Sequence, residues 1–157
     1  MVTDVRHEQT GTVRLHRVLR APPERVYRAF LDPHAKAKWL PPDGFVAQIE
    51  AFDPRVGGGY RMRFVNFATG HADGFTCTFL ELEEPVLLRY TDRFDDPGLP
   101  GEMMVEVRLE AVSCGTALHV VQSGIPAAIP EAMCYLGWQE SLAQLARLVE
   151  PESPDGA

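Results

Sequence analysis

A chain of 157 residues with 45% hydrophobic and 24% charged residues has the size and balance of one folded domain around a single core, and no apolar run in it reaches the length of a membrane span. Its net charge of −7 repels polyanions, which argues against sequence-nonspecific nucleic-acid binding. Three cysteines without paired spacing, Cys77, Cys114 and Cys134, fit reduced thiols; with no secretion signal in residues 1–10, the expected location is the cytoplasm.

From Gly11 to Leu19 the sequence alternates Val13, Leu15, Arg17 and Leu19 against Thr12, Arg14, His16 and Val18, which predicts a first strand. Pro22 and Pro23 suit a helix start, Glu24 complements its positive end, and Val26, Tyr27 and Phe30 give it an apolar stripe. Asp32 and Pro33 read as the N-cap and first position of a second, shorter helix reaching Trp39, which Pro41 and Pro42 stop.

The period then shortens to two. Six strands are predicted: Phe45 to Phe52, Gly59 to Asn66, Gly74 to Leu82, Val86 to Phe94, Met103 to Ala111 and Thr116 to Ser123. Between them lie turn-forming stretches such as Gly57-Gly58-Gly59, Glu83-Glu84-Pro85 and Ser113-Cys114-Gly115. From Pro130 the period lengthens again, and Cys134, Trp138, Leu142, Leu145 and Val149 fall on one face of a long helix. Residues 151–157 carry nothing to bury. The domain is therefore 11–150, with flexible tails at 1–10 and 151–157. One apolar sheet face and one long amphipathic helix to cover it make the fold class α+β.

Three stretches carry a resemblance when taken together: RVLRAPPERVYRAFLDPHAKAKWL (17–40), RVGGGYRMRF (55–64) and GWQESLAQLARLV (137–149). They resemble the START-like (SRPBCC) superfamily, in its Activator of Hsp90 ATPase homologue 1-like branch. The resemblance implies a helix-grip fold. In it a curved seven-stranded antiparallel sheet wraps a long C-terminal helix, the first strand lies beside the last, and two short helices close one end. It also implies an apolar cavity between sheet and helix. Leu40 departs from the family, which often has a second aromatic after the Trp of the second helix.

Chemistry-bearing patterns are sparse. His7, His16, His34, His71 and His119 are scattered singly, and neither Cys-x-x-Cys nor His-Glu-x-x-His occurs, so no metal site or other cofactor is expected. Gly-x-Ser-x-Gly is absent, and Cys77 and Cys134 sit on apolar faces where burial quiets a thiol. Gly57 to Gly59 lack the Lys and helix of a phosphate loop and read as a turn or bulge. Arg61 and Arg63 face away from Tyr60, Met62 and Phe64 and are expected to pair with carboxylates. Asp92, Asp95 and Asp96 read as a solvated acidic loop.

What remains is an aromatic and sulfur-rich set suited to an adaptable apolar wall. The candidate ligand-binding residues are Trp39, Tyr60, Met62, Phe64, Phe79, Tyr90, Val107, Val120, Gln122, Met133, Gly137 and Trp138. Gln122 continues the inward alternation of Leu118 and Val120, so its amide needs a partner and is the candidate ligand-orienting group. The leading reading is a monomeric or homodimeric binding protein for an apolar small molecule. The rivals are a cofactor-independent enzyme of the cyclase, aromatase or hydrolase type, and a chaperone-interaction module.

Overall fold

The computed structural model describes residues 10–152. Its seven strands are β1 (Gly11–Leu19), β2 (Phe45–Glu50), β3 (Gly59–Asn66), β4 (Ala72–Glu83), β5 (Leu87–Phe94), β6 (Met103–Val112) and β7 (Gly115–Ile125). They form one antiparallel sheet in the order β1-β7-β6-β5-β4-β3-β2. From β2 to β7 each strand lies beside its successor, as short turns require; β1 alone crosses to the far edge beside β7. Helices α1 (Pro23–Leu31) and α2 (Pro33–Trp39) follow β1, and α3 (Glu131–Val149) follows β7. This is the helix-grip arrangement that the resemblance implied.

Local chemistry sets the breaks. Pro23 opens α1 at a position that needs no N–H, and Asp32 caps α2, its Oδ1 accepting from the Ala35 N–H at 3.0 Å. β2 ends at Glu50 rather than at the expected Phe52, because Ala51 takes φ 55° and turns the chain out of the ladder. β4 begins earlier than expected, since Ala72 and Asp73 still pair with Val65 and Phe64. β7 runs on to Ile125, past Gly124 at φ 75°.

The core lies between the concave sheet face and the helices. Leu118 and Val120, Val105 and Val107, Leu88 and Tyr90, and Phe79 meet Trp138, Leu142, Leu145 and Val149 of α3 there, with Val26 and Phe30 of α1 closing one end. Each such side chain removed from water is worth about 1.5–3 kcal/mol, so this face supplies the main driving force for folding. Polar ties then fix α3 against the segment after α2. The Ser141 hydroxyl donates to Leu40 O at 2.6 Å, Gln144 Nε2 donates to Pro41 O at 2.7 Å, and Glu140 accepts from the Asp43 N–H at 3.1 Å. These bonds set the separation of Leu40 and Pro42 from the helix, which matters for the space beside them. On the outer face Arg61 pairs with Asp95 at 3.1 Å, and Arg63 reaches Gln48 at 3.4 Å, an amide where a carboxylate partner was expected.

Candidate functional site

Register brings together residues that are far apart in sequence. Tyr60 of β3 opposes Cys77 of β4, Cys77 opposes Asp92 of β5, and Asp92 opposes Met103 of β6. Opposed residues share a face, so these four form one row across the concave side of the sheet. Gln122 Nε2 donates to Met103 Sδ at 3.0 Å and carries the row onto β7. Gln122 Oε1 accepts from Trp138 Nε1 at 2.6 Å and from the Cys134 thiol at 3.6 Å, which links the row to α3. An indole N–H only donates, so Trp138 fixes which end of the Gln122 amide faces it.

Lys36 of α2 meets the other end of the row. It is fully buried, and its Nζ lies 4.8 Å from the ring centre of Tyr90, 5.0 Å from that of Tyr60 and 5.4 Å from that of Phe30. Three ring faces give an ammonium partial compensation for lost water. Burial lowers the Lys36 pKa, opposed by the nearby Cys77 and Asp92. Burial likewise pushes the Asp92 carboxyl up to about 7, while Lys36 pulls it down. Burial raises Tyr60, Tyr90 and Cys77 as well, which keeps these groups neutral. Four buried side-chain polar atoms lack a hydrogen-bond partner among the described residues, and three of them are here: Lys36 Nζ, Tyr60 OH and Asp92 Oδ1.

Beside the row is a cavity of about 170 Å³. Phe64, Phe75 and Phe94 wall it from the sheet, Leu40 and Pro42 from the segment after α2, and Gly137 and Trp138 from α3; Asp92 and Gln122 are among its polar groups. It adjoins an outer cleft of about 790 Å³, with which it shares Pro42, Phe64, Phe94, Met103, Gln122 and Cys134. Arg63, His71, Asp73, Asp95 and Asp96 contribute to the lining of that cleft.

Of the residues singled out from sequence, Phe64, Gln122, Gly137 and Trp138 line the inner cavity. Trp39, Tyr60, Met62, Phe79, Tyr90, Val107 and Val120 are buried in the packed core and do not line it. Trp39 Nε1 is committed to Ala29 O at 2.9 Å, and Val107 and Val120 oppose each other across β6 and β7. Met133 is 65% exposed and stands on the rim of the outer cleft. Gln122 finds its partners within the protein, although its Nε2 is spent on a weak thioether acceptor.

The reading of Asp92 as part of a solvated loop is corrected. It lies inside β5, because the inward alternation of Leu88, Tyr90 and Phe94 passes through it. Sequence reasoning also missed Lys36, although Trp39 and Leu40 three and four residues on mark the same inward helix face. Among the described residues no group of His, Cys, Asp and Glu is placed to hold a metal ion, and no helix is long and apolar enough to cross a membrane.

Residues 20–150 match the family described as Activator of Hsp90 ATPase homolog 1-like protein. The chain belongs to this family. A solved protein of Chromobacterium violaceum is 61% identical, with a TM-score of 0.89 over 90% of this chain and 98% of that one. An AHSA1-like protein from Aeromonas hydrophila (23% identity, TM-score 0.74, 89% of this chain and 92% of that one) shares the fold. So does a protein from Rhodobacter sphaeroides (23% identity, TM-score 0.77, 89% and 95%). No curated protein matches the chain.

Proposed function

We propose that this family member binds a small, largely apolar molecule in the cavity between the sheet and α3. The supporting observation is the cavity itself, about 170 Å³ walled by Phe64, Phe75, Phe94 and Trp138 and adjoining a larger cleft. That volume is close to the roughly 150 Å³ that accommodates a benzene ring. Aromatic walls with few polar groups are the usual make-up of a small-molecule site. Toluene, as a probe, is expected to raise the melting temperature in a concentration-dependent way. Gly137→Leu places a side chain in the same space and should weaken this shift without a comparable loss of stability. A toluene-independent melt in the wild-type protein would count against the reading.

A second reading, catalysis without a cofactor, is favoured by Asp92. A cavity-lining carboxyl whose pKa lies near 7 suits proton transfer at neutral pH. Turnover of a bound compound, lost in Asp92→Asn, would distinguish an enzyme from a binder.

A further inference from the structure

The inner end of the cavity is chemically unlike its walls. Asp92 lines the cavity, while Lys36 lies fully buried and does not. An occupant meets three polar side chains: Gln122, with both ends of its amide already bonded, Ser141, which donates to Leu40 O, and the Asp92 carboxyl, which is backed by an amine and by the Tyr60 hydroxyl. Lys36, Tyr60 and Asp92 each carry an atom without an oxygen or nitrogen partner, and the Cys77 thiol beside Tyr60 and Asp92 offers those two only a weak one. Such a cluster is a poor structural device, because well-packed apolar side chains of similar volume would serve the core as well or better.

Charge narrows the occupant further. Cys77, Tyr60 and Tyr90 are neutral, so Lys36 and Asp92 are the ionisable pair of the cluster. Above about pH 7 that pair shares one proton and is net neutral whether the proton sits on the amine or on the carboxyl. An ionised headgroup would add an uncancelled charge in a place where desolvation is costly. A hydroxyl adds none: it donates to the Asp92 carboxylate, or accepts from the protonated carboxyl, and its oxygen keeps a lone pair for a further donor. The ring walls and the volume of the space select what carries it.

We infer that the Lys36–Tyr60–Asp92 cluster anchors the hydroxyl of a neutral phenol or aromatic alcohol whose ring fills the inner cavity. This rests on the proposed apolar-ligand reading and specifies its headgroup.

Calorimetric titration of the full chain with toluene, anisole, phenol, benzoate and benzylamine tests it. An apolar cavity without an anchor prefers toluene, since burying an unpaired hydroxyl is unfavourable. The anchor reverses that order, and phenol is expected to bind on the order of tenfold more tightly than toluene or anisole, with both ions weaker than phenol. In the Lys36→Met, Asp92→Leu double variant, which exchanges the pair for apolar side chains, the preference for phenol over toluene should be lost. Equal binding of phenol and toluene by the wild-type protein overturns the anchor and leaves the cavity reading standing. Tighter binding of benzoate or benzylamine than of phenol overturns the neutral headgroup. A preference for phenol that persists in the double variant places the anchor elsewhere and also overturns it. No binding of any probe removes the cavity reading and this inference together. The comparison of phenol with anisole needs no variant, so equal binding of the two overturns the anchor even if the double variant fails to fold.

Discussion

Burial raises the Asp92 carboxyl from its ordinary value of 3.8 to about 7, against the pull of Lys36. Between those values the folded chain holds a proton that the unfolded chain has released, so the contribution of this group to stability falls as pH rises through the window. Asp92→Asn removes the titration. It also strips Lys36 of its counter-charge and lowers that amine's pKa further. A lowered lysine pKa makes stability rise with pH towards 10.5, so both effects favour the variant as pH rises. The melting temperature of Asp92→Asn relative to wild type should therefore climb from about pH 4 to about pH 7. The full carboxyl shift corresponds to about 4 kcal/mol. Melts at several pH values across this window measure the gap. A gap that does not change with pH would mean that Asp92 titrates as an ordinary surface acid.

Among the elements, two glycines make opposite predictions for the same substitution. A Cβ at Gly59 would run into the backbone carbonyl of Cys77, so β3 and β4 approach there as only glycine allows. A Cβ at Gly137 would meet nothing within 4 Å, because the backbone of α3 faces the cavity at that turn. Gly59→Ala should lower stability by about 1–3 kcal/mol or more, whereas Gly137→Ala should raise it by up to about 1 kcal/mol by removing the cost of glycine in a helix. Denaturant melts of both variants check the pair; destabilisation by Gly137→Ala would mean that α3 packs more closely than its surroundings indicate. The sequence showed all ten elements because each rests on local signals, as the Val13 and Leu15 alternation, the Asp32 cap and the Trp138, Leu142, Leu145 stripe illustrate. The Gly137 gap was legible as a question, since a mid-helix glycine needs a reason. The polar cluster was hidden because its parts arrive by register and by tertiary packing. Asp92 sits three and four residues from Asp95 and Asp96 and shared their solvated reading, and Lys36 lies on a seven-residue helix read from its cap and prolines, which left its inward face unread. The pairing of Tyr60 with Cys77 and of Cys77 with Asp92 makes the row, and the packing of α2 brings Lys36 to its end.

At the scale of the molecule, α3 is tied at its start to β1, where Glu131 accepts from the Thr12 N–H at 2.7 Å, and further along to the segment after α2. The Ser141 and Gln144 bonds hold the helix to the segment after α2, while Met133 and Ile129 line an open cleft. Two spaces adjoin there, one of about 170 Å³ and one of about 790 Å³, with shared walls at Phe64, Phe94 and Met103. A ligand with its ring in the inner chamber should project a para or terminal chain into the outer one. Complete burial of a methylene gains about 0.8 kcal/mol, or roughly fourfold in affinity. The cleft is partly open to water, so each methylene of an alkylbenzene series from toluene to butylbenzene should gain less than this, on the order of twofold. Met133→Ala removes an apolar side chain from the rim, and should reduce the gain for the longer members while leaving toluene unaffected. Calorimetric titration of the series against both proteins measures the slope. Affinity that falls with each added carbon would show that the inner chamber is closed to the cleft, and an identical slope in Met133→Ala would show that the chains leave by another path.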